Sequence, residues 1–370
     1  MSTTPLAGEI AALIRETGPI GIDRYMALCL AHPVHGYYRT RDPIGARGDF
    51  TTAPEISQMF GELIGLWTAA VQTAMDSPER LILVELGPGR GTLMSDALRA
   101  LRAAAPGFTP ELHLVETSPV LRAAQAAALA GASFGAPTWH DSLDTLPDGP
   151  AIILANEFLD ALPVRQFART ARGWCERVIG LAPDGRLAFG LAPEFERTLA
   201  AEGPEGVILT LPGPALDLVR GLARRLRDQG GALLAIDYGH VRPGFGDTLQ
   251  AVAGHCFADP LAAPGEADLT AHVDFAALAR AATAEGARVH GPVDQRDFLI
   301  SLGLLARAER LKQRASPAQG MAIDAAVARL TDPGRRGMGR LFKAMALSAP
   351  GFSTLPGLST LPGLPTSPGL

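Results

Sequence analysis

The spacing of apolar residues changes along the chain. In the first part, apolar side chains recur every three or four positions, which predicts helices that end at Gly18 and at His32. A third helix is expected to begin near Thr52, because Thr52 and Glu55 have the spacing of a capping box. Residues 1–76 are therefore predicted to form an N-terminal helical cap.

Further along, short apolar runs alternate with helical segments. Buried-strand patterns occur at residues 81–86, 112–115, 151–155 and 232–236. Strand–helix alternation implies a parallel sheet with right-handed crossovers, so the predicted fold class is α/β. We expect a core in two parts, at residues 77–164 and 231–300. An inserted α+β segment is expected between them, at residues 165–230. A C-terminal helical region is expected at residues 301–348.

From residue 349 the composition changes to Pro, Gly, Leu, Ser and Thr. The hexapeptide Ser-Thr-Leu-Pro-Gly-Leu occurs twice in succession. A proline every few residues is incompatible with a helix or a central strand. Residues 349–370 are therefore predicted to be a disordered tail.

Composition narrows the class of protein. Of 370 residues, 47% are hydrophobic and 19% charged, which fits a soluble globular core, and no run approaches the ~18 apolar residues of a membrane span. The net charge of −5 gives no general attraction to nucleic acid. The separated Cys29, Cys175 and Cys256 exclude a disulfide framework, and no metal site is expected. The first residues lack the features of a signal or transit peptide, which predicts a cytoplasmic protein.

The most specific local pattern is a glycine-rich loop between a strand and a helix. It reads Glu85-Leu-Gly-Pro-Gly-Arg-Gly91. Glycines allow a tight turn and the close approach of a ligand, and the helix N-terminus offers unpaired N–H groups. We therefore expect cofactor contacts from Glu85, Gly87, Pro88, Gly89 and Gly91.

Acidic residues after the next strands narrow the prediction of which cofactor the loop binds. Thr92 follows the glycines at the position where a dinucleotide fingerprint requires Gly or Ala. Glu116 ends the next strand, where a carboxylate can bind both ribose hydroxyls. Asp141 follows the third strand, where it can contact an adenine amino group. This arrangement is typical of class I (Rossmann-like) methyltransferases that use S-adenosylmethionine.

The segment Asn156-Glu157-Phe-Leu-Asp160 follows another predicted strand. The carboxyl ends of strands in an open α/β sheet face the ligand crevice, so these side chains are expected beside the methyl acceptor. Two carboxylates favour a cationic acceptor, because a carboxylate binds a guanidinium through two parallel hydrogen bonds. Glu157 and Asp160 are therefore the expected catalytic groups, although either could instead cap a following helix.

Two further segments are expected near the site. The loop of Asp49 and Phe50 precedes a helix and could cover the cofactor, and Glu55 could reach the pocket unless its capping role occupies it. His272 could transfer a proton, or it could pack at the start of a helix. Asp49, Phe50 and Glu55 are expected to contact the substrate, and His272 is expected to assist catalysis.

Several segments together resemble one family. Its motifs occur in order at residues 48–62, 85–93, 115–119, 155–163, 270–275 and 338–343. They resemble the MidA-type S-adenosylmethionine-dependent methyltransferases, the group that includes the mitochondrial arginine methyltransferase assisting assembly of respiratory complex I. The resemblance spans roughly residues 18–347, with the expected class I sheet, N-terminal helical region and inserted segment.

The resemblance implies a cofactor, a substrate and a set of site residues. The cofactor is S-adenosylmethionine, and the reaction is symmetric dimethylation of an arginine in the 49-kDa-type subunit of NADH dehydrogenase. Glu85 and residues 87–91 are assigned to the methionine end, Glu116 to the ribose, and Asn156 and Glu157 to the point of transfer, with Asn156 counted as a cofactor contact. No nucleic-acid partner and no membrane insertion are expected, and a homodimer is one assembly open to the chain.

The expected reaction is an in-line displacement, in which an acceptor nitrogen attacks the methyl carbon of the sulfonium. Glu157 would localise the charge of the guanidinium, and Asp160 or His272 would accept the proton. Two other functions stay open from the sequence. A small-molecule methyltransferase would have a closed, mostly apolar acceptor pocket, and a non-catalytic assembly scaffold would retain the cofactor site without turnover.

Overall fold

A mixed β-sheet forms the centre of the protein. The computed structural model describes residues 4–41, 43, 45, 48–131, 134–334 and 337–358. Its strands are β1 (Ile20–Gly21), β2 (Ile82–Leu86), β3 (Glu111–Val115), β4 (Thr138–His140), β5 (Ala151–Asn156), β6 (Arg165–Thr170), β7 (Gly173–Leu181), β8 (Leu187–Glu196), β9 (Ile208–Leu211), β10 (Gly231–His240), β11 (Leu249–Ala253), β12 (Cys256–Ala258), β13 (Asp268–Ala271), β14 (Val273–Asp274), β15 (Arg288–Asp294) and β16 (Phe342–Ser348).

The helices flank this sheet and begin the chain. They are α1 (Pro5–Thr17), α2 (Ile22–Ala31), α3 (Tyr37–Thr40), α4 (Ala53–Ile56), α5 (Gln58–Ala74), α6 (Thr92–Ala104), α7 (Pro119–Leu129), α8 (Gly213–Gln229), α9 (Phe275–Ala284), α10 (Gln295–Ser301), α11 (Leu304–Lys312), α12 (Pro317–Thr331) and α13 (Met338–Leu341). Within the described ranges, no helix is both long enough and apolar enough to cross a membrane.

The strand order confirms the predicted α/β sheet. In the part of the chain that the structure describes, the central sheet has eight strands in the order β15-β16-β10-β5-β2-β3-β4, with β14 paired to β10. The strands from β4 to β10 are parallel neighbours, and β16 runs antiparallel between β10 and β15. The chain moves outward from β2 on one side and from β5 on the other. The topological switch point, where open α/β sheets bind ligands, therefore lies between β2 and β5.

Helices cover both faces of the sheet. Along β2, Leu83 packs in the layer of α5 and α6, whereas Ile82 and Val84 pack in the layer of α8 and α9. Side chains alternate between the two faces of a strand, so a strand buried on both faces has a continuous apolar sequence. This explains the short apolar runs that identify the central strands.

The N-terminal helices and the inserted strands form one cap. Ile10 of α1 and Met26 of α2 belong to one buried cluster with Ile179 of β7 and Leu269 of β13. β1 pairs with β7 in a second sheet, ordered β1-β7-β6-β9 with β8 also paired to β7. A third sheet has the order β12-β11-β13. The N-terminus is thus joined to the insertion, more than 100 residues later in the chain.

Three elements differ from the boundaries expected from the sequence. α5, expected in the N-terminal cap, packs against α6 and the central sheet through Leu63 and Trp67. α8, expected in the insertion, buries Val219 and Leu226 on the opposite face of the sheet. Residues 342–348, expected in a helical region, form β16, because all seven side chains are buried between two neighbouring strands.

The chain after β16 also differs from expectation. Phe352, Leu355 and Leu358 are buried in the same layer as Phe298. Their apolar side chains decide the packing of residues 349–358, so disorder is the wrong prediction for this segment. The rest of the expected tail, residues 359–370, lies outside the described residues.

The predicted capping box at the third helix is wrong. The Thr52 side chain accepts no capping hydrogen bond, and the Thr52 carbonyl accepts from Glu55 N at 3.0 Å instead. α4 ends at Ile56, and α5 begins with its own cap, in which Ser57 Oγ accepts from Met59 N at 3.2 Å. The Glu55 side chain is therefore available to other partners.

Candidate functional site

The candidate site lies where the parallel strands of the central sheet end. Leu86, Val115, His140 and Ala155 share one row of the sheet register. Parallel strands present their carboxyl ends at the same edge, so the residues after this row emerge side by side. These residues are four of the predicted site positions, Gly87, Glu116, Asp141 and Asn156.

A cavity of about 630 Å³ lies at this edge. The strand ends, helix α2 and the strands β11 to β13 of the cap line it, so it is enclosed by both parts of the molecule. The predicted residues that line the cavity are Phe50, Glu55, Glu85, Gly87, Pro88, Gly89, Glu116, Asp141, Asn156, Glu157 and Asp160. The cofactor and acceptor residues predicted from the sequence thus face one space.

The glycine-rich loop has a backbone conformation that glycine adopts readily. The φ angle is +59° at Gly87, +54° at Gly89 and +83° at Gly91, all in the left-handed region. A Cβ at Gly87 would lie 2.7 Å from Cδ2 of Phe158, so the loop packs on the turn that follows β5. Gly91 does not line the cavity but begins α6 as its N-cap.

Glu85 is a buried carboxyl in the wall of the cavity. Its residue is 3% exposed, and its Oε2 has no hydrogen-bond partner among the described residues. Burial raises the pKa of Glu85 well above its usual range, because the charged form is poorly solvated there. An uncompensated carboxyl in a cavity fits a ligand that brings a positive charge.

Glu116 is held in place by Gln125, which no sequence motif indicates. Glu116 Oε1 accepts from Ser118 N at 2.7 Å, and Oε2 accepts from Gln125 Nε2 at 3.2 Å. The same Nε2 donates to the Gly89 carbonyl at 2.8 Å, and Gln125 Oε1 accepts from Trp139 Nε1 at 2.8 Å. This fully buried amide joins the loop to the carboxylate. Its signal in the sequence is one polar residue on the apolar face of α7.

Asp141 lies at the exposed rim of the cavity. Its Oδ1 accepts from Arg122 Nη2 at 2.7 Å. The Arg122 Nε also donates to the Glu116 carbonyl at 2.7 Å. Arg122 of α7 therefore fixes the ends of β3 and β4 relative to each other.

The turn after β5 places Glu157 in the cavity. Its φ of +51° is a left-handed conformation that costs energy for a residue other than glycine and that recurs at functional sites. Glu157 Oε1 accepts from Ala53 N at 2.8 Å and from Asn156 Nδ2 at 3.1 Å. Burial raises the pKa of Glu157 to about 7, and the neighbouring Asp160 adds to the increase. The Asn156 Oδ1 is buried with no partner in the described part of the chain.

Asp237, within β10, organises this turn. Its Oδ2 accepts from the backbone N–H groups of Phe158, Leu159 and Asp160 at 3.1, 2.9 and 3.2 Å. Burial and the nearby Asp160 and Glu157 raise the pKa of Asp237 well above its usual range. Burial also raises the pKa of Asp160, to about 6. The segment continues into β6, so neither carboxyl of the turn caps a helix. The signal that could have identified Asp237 is an aspartate directly after the buried apolar run of residues 232–236.

Another carboxyl, Asp268, enters the cavity from the cap. It begins β13, is 6% exposed and accepts from the Tyr38 hydroxyl at 2.7 Å. Burial and the charge of Asp160 raise the pKa of Asp268 to about 8. Ala271 N of the same strand donates to the Asp160 carbonyl at 2.9 Å, so the cap contacts the core at this point. The sequence motif here indicated His272 instead.

The structure does not bring Asp49 or His272 to the cavity wall. Asp49 Oδ2 accepts from the Tyr37 hydroxyl and Oδ1 from Gly254 N, both at 2.7 Å, so the carboxylate holds its loop against the hairpin of β11 and β12. His272 packs edge-on against Tyr238, with ring centroids 5.2 Å apart, and burial lowers its pKa. A position within a motif segment does not fix the direction of a side chain, so the sequence could not show that Asp49 and His272 point away from the cavity.

Glu55 and Phe50 line the cavity from the segment before α5. Glu55 Oε1 accepts a hydrogen bond from the Thr92 hydroxyl, and Oε2 lies 3.8 Å from Arg90 Nη1. Glu55 therefore connects this segment to the glycine-rich loop and to the start of α6. This contact explains why its carboxylate is not used in the expected capping box.

The cavity is acidic. The described residues that line it include seven carboxyls and three arginines. Within the described ranges, no three or more His, Cys, Asp or Glu side chains are arranged to hold a metal ion. The excess of carboxyls therefore favours organic cations as ligands.

Comparison with known proteins identifies the family. A model for an S-adenosyl-L-methionine-dependent methyltransferase family matches residues 63–293. Protein arginine methyltransferase NDUFAF7 of Danio rerio is 38% identical over 335 residues, or 84% of this chain and 79% of that protein. The Homo sapiens protein of that name is 36% identical over 340 residues, or 85% and 76%. The chain belongs to the MidA-type methyltransferase family.

Solved structures similar to this methyltransferase support the same assignment. A Burkholderia thailandensis protein bound to S-adenosylhomocysteine has a TM-score of 0.82 and 30% identity, covering 95% of this chain and 94% of that one. A native structure from the same organism has a TM-score of 0.80 and 31% identity, covering 95% and 93%. The predicted family and S-adenosylmethionine as the cofactor are confirmed.

The cavity of this methyltransferase fits that cofactor. The unpaired Glu85 carboxyl matches the positive charges of the methionine end. The left-handed glycines leave the loop without side chains where a ligand approaches. The orphaned Asn156 Oδ1 offers an acceptor at the end of β5. The orphaned oxygens of Glu85 and Asn156 are costly without a partner and are explained by a cationic ligand with hydrogen-bond donors.

The predicted compartment is wrong. The names of the relatives from Danio rerio and Homo sapiens describe both proteins as mitochondrial. This finding contradicts the cytoplasmic location expected from the first residues.

Proposed function

We propose that this methyltransferase transfers a methyl group to the side chain of an arginine in a protein. The observation that carries the proposal is the group of buried carboxyls around the cavity. The pKa values of Glu157, Asp160 and Asp268 are raised to about 7, 6 and 8, in each case chiefly by burial. A guanidinium would stabilise their charged forms, because it is a planar cation with five hydrogen-bond donors.

The relatives favour arginine over other cations. Both NDUFAF7 proteins carry the name protein arginine methyltransferase. We take the 49-kDa-type subunit of NADH dehydrogenase as the protein substrate and symmetric dimethylarginine as the product, because the resemblance to the MidA-type family implies them. The modification would then support assembly of respiratory complex I.

The cofactor side of the site has four proposed contacts. Glu85 binds the ammonium end, and the loop from Gly87 to Gly89 lies against the methionine portion. Glu116 accepts hydrogen bonds from the ribose hydroxyls, since it already lies at the end of β3 with its orientation fixed by Gln125. Asp141 contacts the adenine amino group from the rim, and Asn156 accepts through its free Oδ1.

The acceptor side consists of the turn after β5. Bound S-adenosylmethionine supplies an electrophilic methyl group. Glu157 binds the guanidinium and localises its charge on the nitrogens that do not react, which leaves the lone pair of the third nitrogen free to attack. That nitrogen must lose one proton, and Asp160 accepts it. A pKa of about 6 keeps most of the Asp160 carboxyl ionised at neutral pH and close enough to the operating range for proton transfer.

Transfer of tritium from labelled S-adenosylmethionine tests the proposal. The purified full chain is incubated with the recombinant 49-kDa-type subunit, and the labelled residue is located by peptide mass spectrometry. We expect dimethylarginine with the wild-type chain. Glu157→Gln should reduce turnover at least about 10-fold, because the neutral amide cannot localise the charge.

Two controls define the result. Glu194→Gln changes an exposed glutamate of β8 and should leave turnover at the wild-type level. The affinity of Glu157→Gln for S-adenosylhomocysteine should stay within about twofold of wild type, because Glu157 lies on the acceptor side. Label on lysine, or no label while S-adenosylhomocysteine binds normally, would overturn arginine methylation.

A further inference from the structure

Asp268 occupies a position that the mechanism above does not use. It belongs to the small sheet of the cap, whereas Glu157 and Asp160 belong to the turn after β5 of the central sheet. All three line the same cavity. Hydrogen bonding between Ala271 N and the Asp160 carbonyl holds β13 directly against that turn. The cavity therefore has a carboxyl on each of the two parts of the molecule that enclose it.

The local contacts of Asp268 do not require a carboxylate. Its hydrogen bond in the structure is from the Tyr38 hydroxyl to Oδ1, which the amide oxygen of an asparagine would accept equally well. The residue is 6% exposed, so its charged form has little access to water. Among the described residues, no basic side chain forms an ion pair with it. A buried carboxyl without a cationic partner destabilises the protein unless a ligand uses its charge.

The other groups facing Asp268 increase this cost. Asp160 and Glu157 of the turn, Asp49 of the loop before α4 and Tyr238 of β10 all interact with it electrostatically. Three of these groups are carboxyls, whose negative charge disfavours ionisation of Asp268, whereas burial keeps the Tyr238 hydroxyl neutral by raising its pKa. A cation bound between the turn and β13 would replace the repulsion among these carboxylates with attraction, to Glu157 and Asp160 on one side and to Asp268 on the other.

We propose that Asp268 is the second carboxylate of the acceptor site, which binds the guanidinium from the cap while Glu157 binds it from the core. This assignment rests on the proposed arginine methylation. Tyr38 is a positioning residue, because its hydroxyl fixes one oxygen of Asp268 and leaves the other for the substrate. Two carboxylates from two sheets hold a planar cation at both ends, which a single carboxylate cannot do.

The assignment makes acceptor binding depend on pH. Burial keeps the Asp268 carboxyl protonated up to about pH 8 in the free protein. Binding of the cation then requires the proton to leave for solvent. The affinity of the wild-type chain for a guanidinium should therefore rise as the pH approaches about 8 and level off above it. Without Asp268 the remaining rise should centre near pH 7, where Glu157 loses its proton, and should level off at a lower pH than in the wild-type chain.

Calorimetric titration tests the role of Asp268. The full chain, saturated with S-adenosylhomocysteine, is titrated with N-acetyl-arginine amide across this pH range. Asp268→Asn should raise the dissociation constant of the probe about 10- to 100-fold and leave that of S-adenosylhomocysteine unchanged. Tyr38→Phe should give a smaller increase, because the carboxylate remains but loses its orientation. Asp247→Asn is the matched control, since Asp247 precedes β11 of the cap, bonds to Arg177 and does not line the cavity.

The outcomes separate this inference from the proposed function. Equal affinity of wild type and Asp268→Asn for the probe would overturn the role of Asp268 and leave arginine methylation standing. Loss of S-adenosylhomocysteine affinity in Asp268→Asn would also overturn it, since that result indicates a structural role. If Asp268→Asn loses affinity for the probe, but the wild-type chain transfers no methyl group to arginine in the tritium assay, the binding role of Asp268 is upheld and the proposed function is overturned. No binding of the probe by the wild-type chain would overturn both.

Discussion

At the scale of single residues, Glu85 gives the clearest prediction about cofactor binding. Its carboxyl is buried at the end of β2 with one oxygen unpaired. Substitution Glu85→Gln keeps the shape but removes the charge. We expect the dissociation constant of S-adenosylmethionine to rise about 10- to 100-fold, because a charge-assisted hydrogen bond is lost. Isothermal calorimetry measures this change directly.

Stability provides the control for Glu85. Glu85→Gln should leave the thermal midpoint of the ligand-free protein unchanged or higher, because a buried carboxyl is removed. Glu111→Gln is a matched variant at the other end of the sheet, where Glu111 pairs with Arg80 in an exposed contact. Cofactor affinity should stay at the wild-type level in Glu111→Gln. An unchanged affinity in Glu85→Gln would show that the unpaired oxygen does not face the cofactor.

At the scale of residues, the sequence indicated side chains whose position follows from a strand end. The positions of Glu116 and Asn156 could be predicted because each directly follows a buried apolar run, and the register of a parallel sheet aligns them. Gln125 and Asp268 could not, because their roles depend on contacts between distant segments. The place of Asp49 away from the cavity wall could not be predicted for the same reason, since it depends on hydrogen bonds from Tyr37 and Gly254 to its carboxylate.

At the scale of elements, the turn after β5 depends on Asp237. One carboxylate oxygen accepts three successive backbone N–H groups, which fixes the path of the chain between Glu157 and Asp160. Asp237→Ala should lower kcat at least about 10-fold with little change in cofactor affinity, because misplacing a reacting group is costly. Steady-state kinetics with the 49-kDa-type subunit gives kcat, and calorimetry gives the affinity.

Rescue by a conservative variant identifies the role of Asp237. Asp237→Asn retains one oxygen acceptor and should recover part of kcat. Asp274→Ala is the matched control, because Asp274 caps α9 by accepting from Ala277 N outside the cavity. That variant should cost about 1 kcal/mol of stability without lowering kcat. Equal kcat values for wild type and Asp237→Ala would rule out a positioning role.

The elements that could be predicted are those in which the spacing of apolar residues fits only one kind of secondary structure. The buried strands β2, β5 and β10 contain apolar runs, which their burial on both faces of the sheet requires. β16 was missed because a buried antiparallel strand at residues 342–348 has no turn signal to separate it from the preceding helix. The disorder predicted for residues 349–358 is wrong because Leu355 and Leu358 are buried even though prolines interrupt the segment.

At the scale of the whole molecule, closure of the cap over the core concentrates buried acids. Asp268, Glu157 and Asp160 all have raised pKa values in the folded protein. The folded state then holds protons that the unfolded state releases. Between the ordinary carboxyl range near pH 4 and the folded values, each such group lowers the free energy of unfolding as the pH rises.

This linkage predicts a pH dependence of stability. From about pH 7, where most ordinary histidines have lost their proton, the slope for Asp268 alone is up to about 1.4 kcal/mol per pH unit until about pH 8. The thermal midpoint of the ligand-free wild-type chain should therefore fall by a few degrees, at roughly 2–4 °C per kcal/mol. Scanning calorimetry should show a smaller decrease in Asp268→Asn. Identical pH profiles for the two chains would contradict a raised pKa of Asp268.

The central claim is that the cavity binds the guanidinium of an arginine. The most direct test varies the charge and the shape of the acceptor side chain separately. The complex with S-adenosylhomocysteine is titrated with N-acetyl-arginine amide, with the corresponding citrulline compound and with the lysine compound. Citrulline has nearly the same shape as arginine but no charge, and lysine has the charge without the planar donors. We expect binding in the order arginine, lysine, citrulline, with at least about a 10-fold difference between the first and the last. Equal affinity for arginine and citrulline would contradict a cavity built for a guanidinium cation.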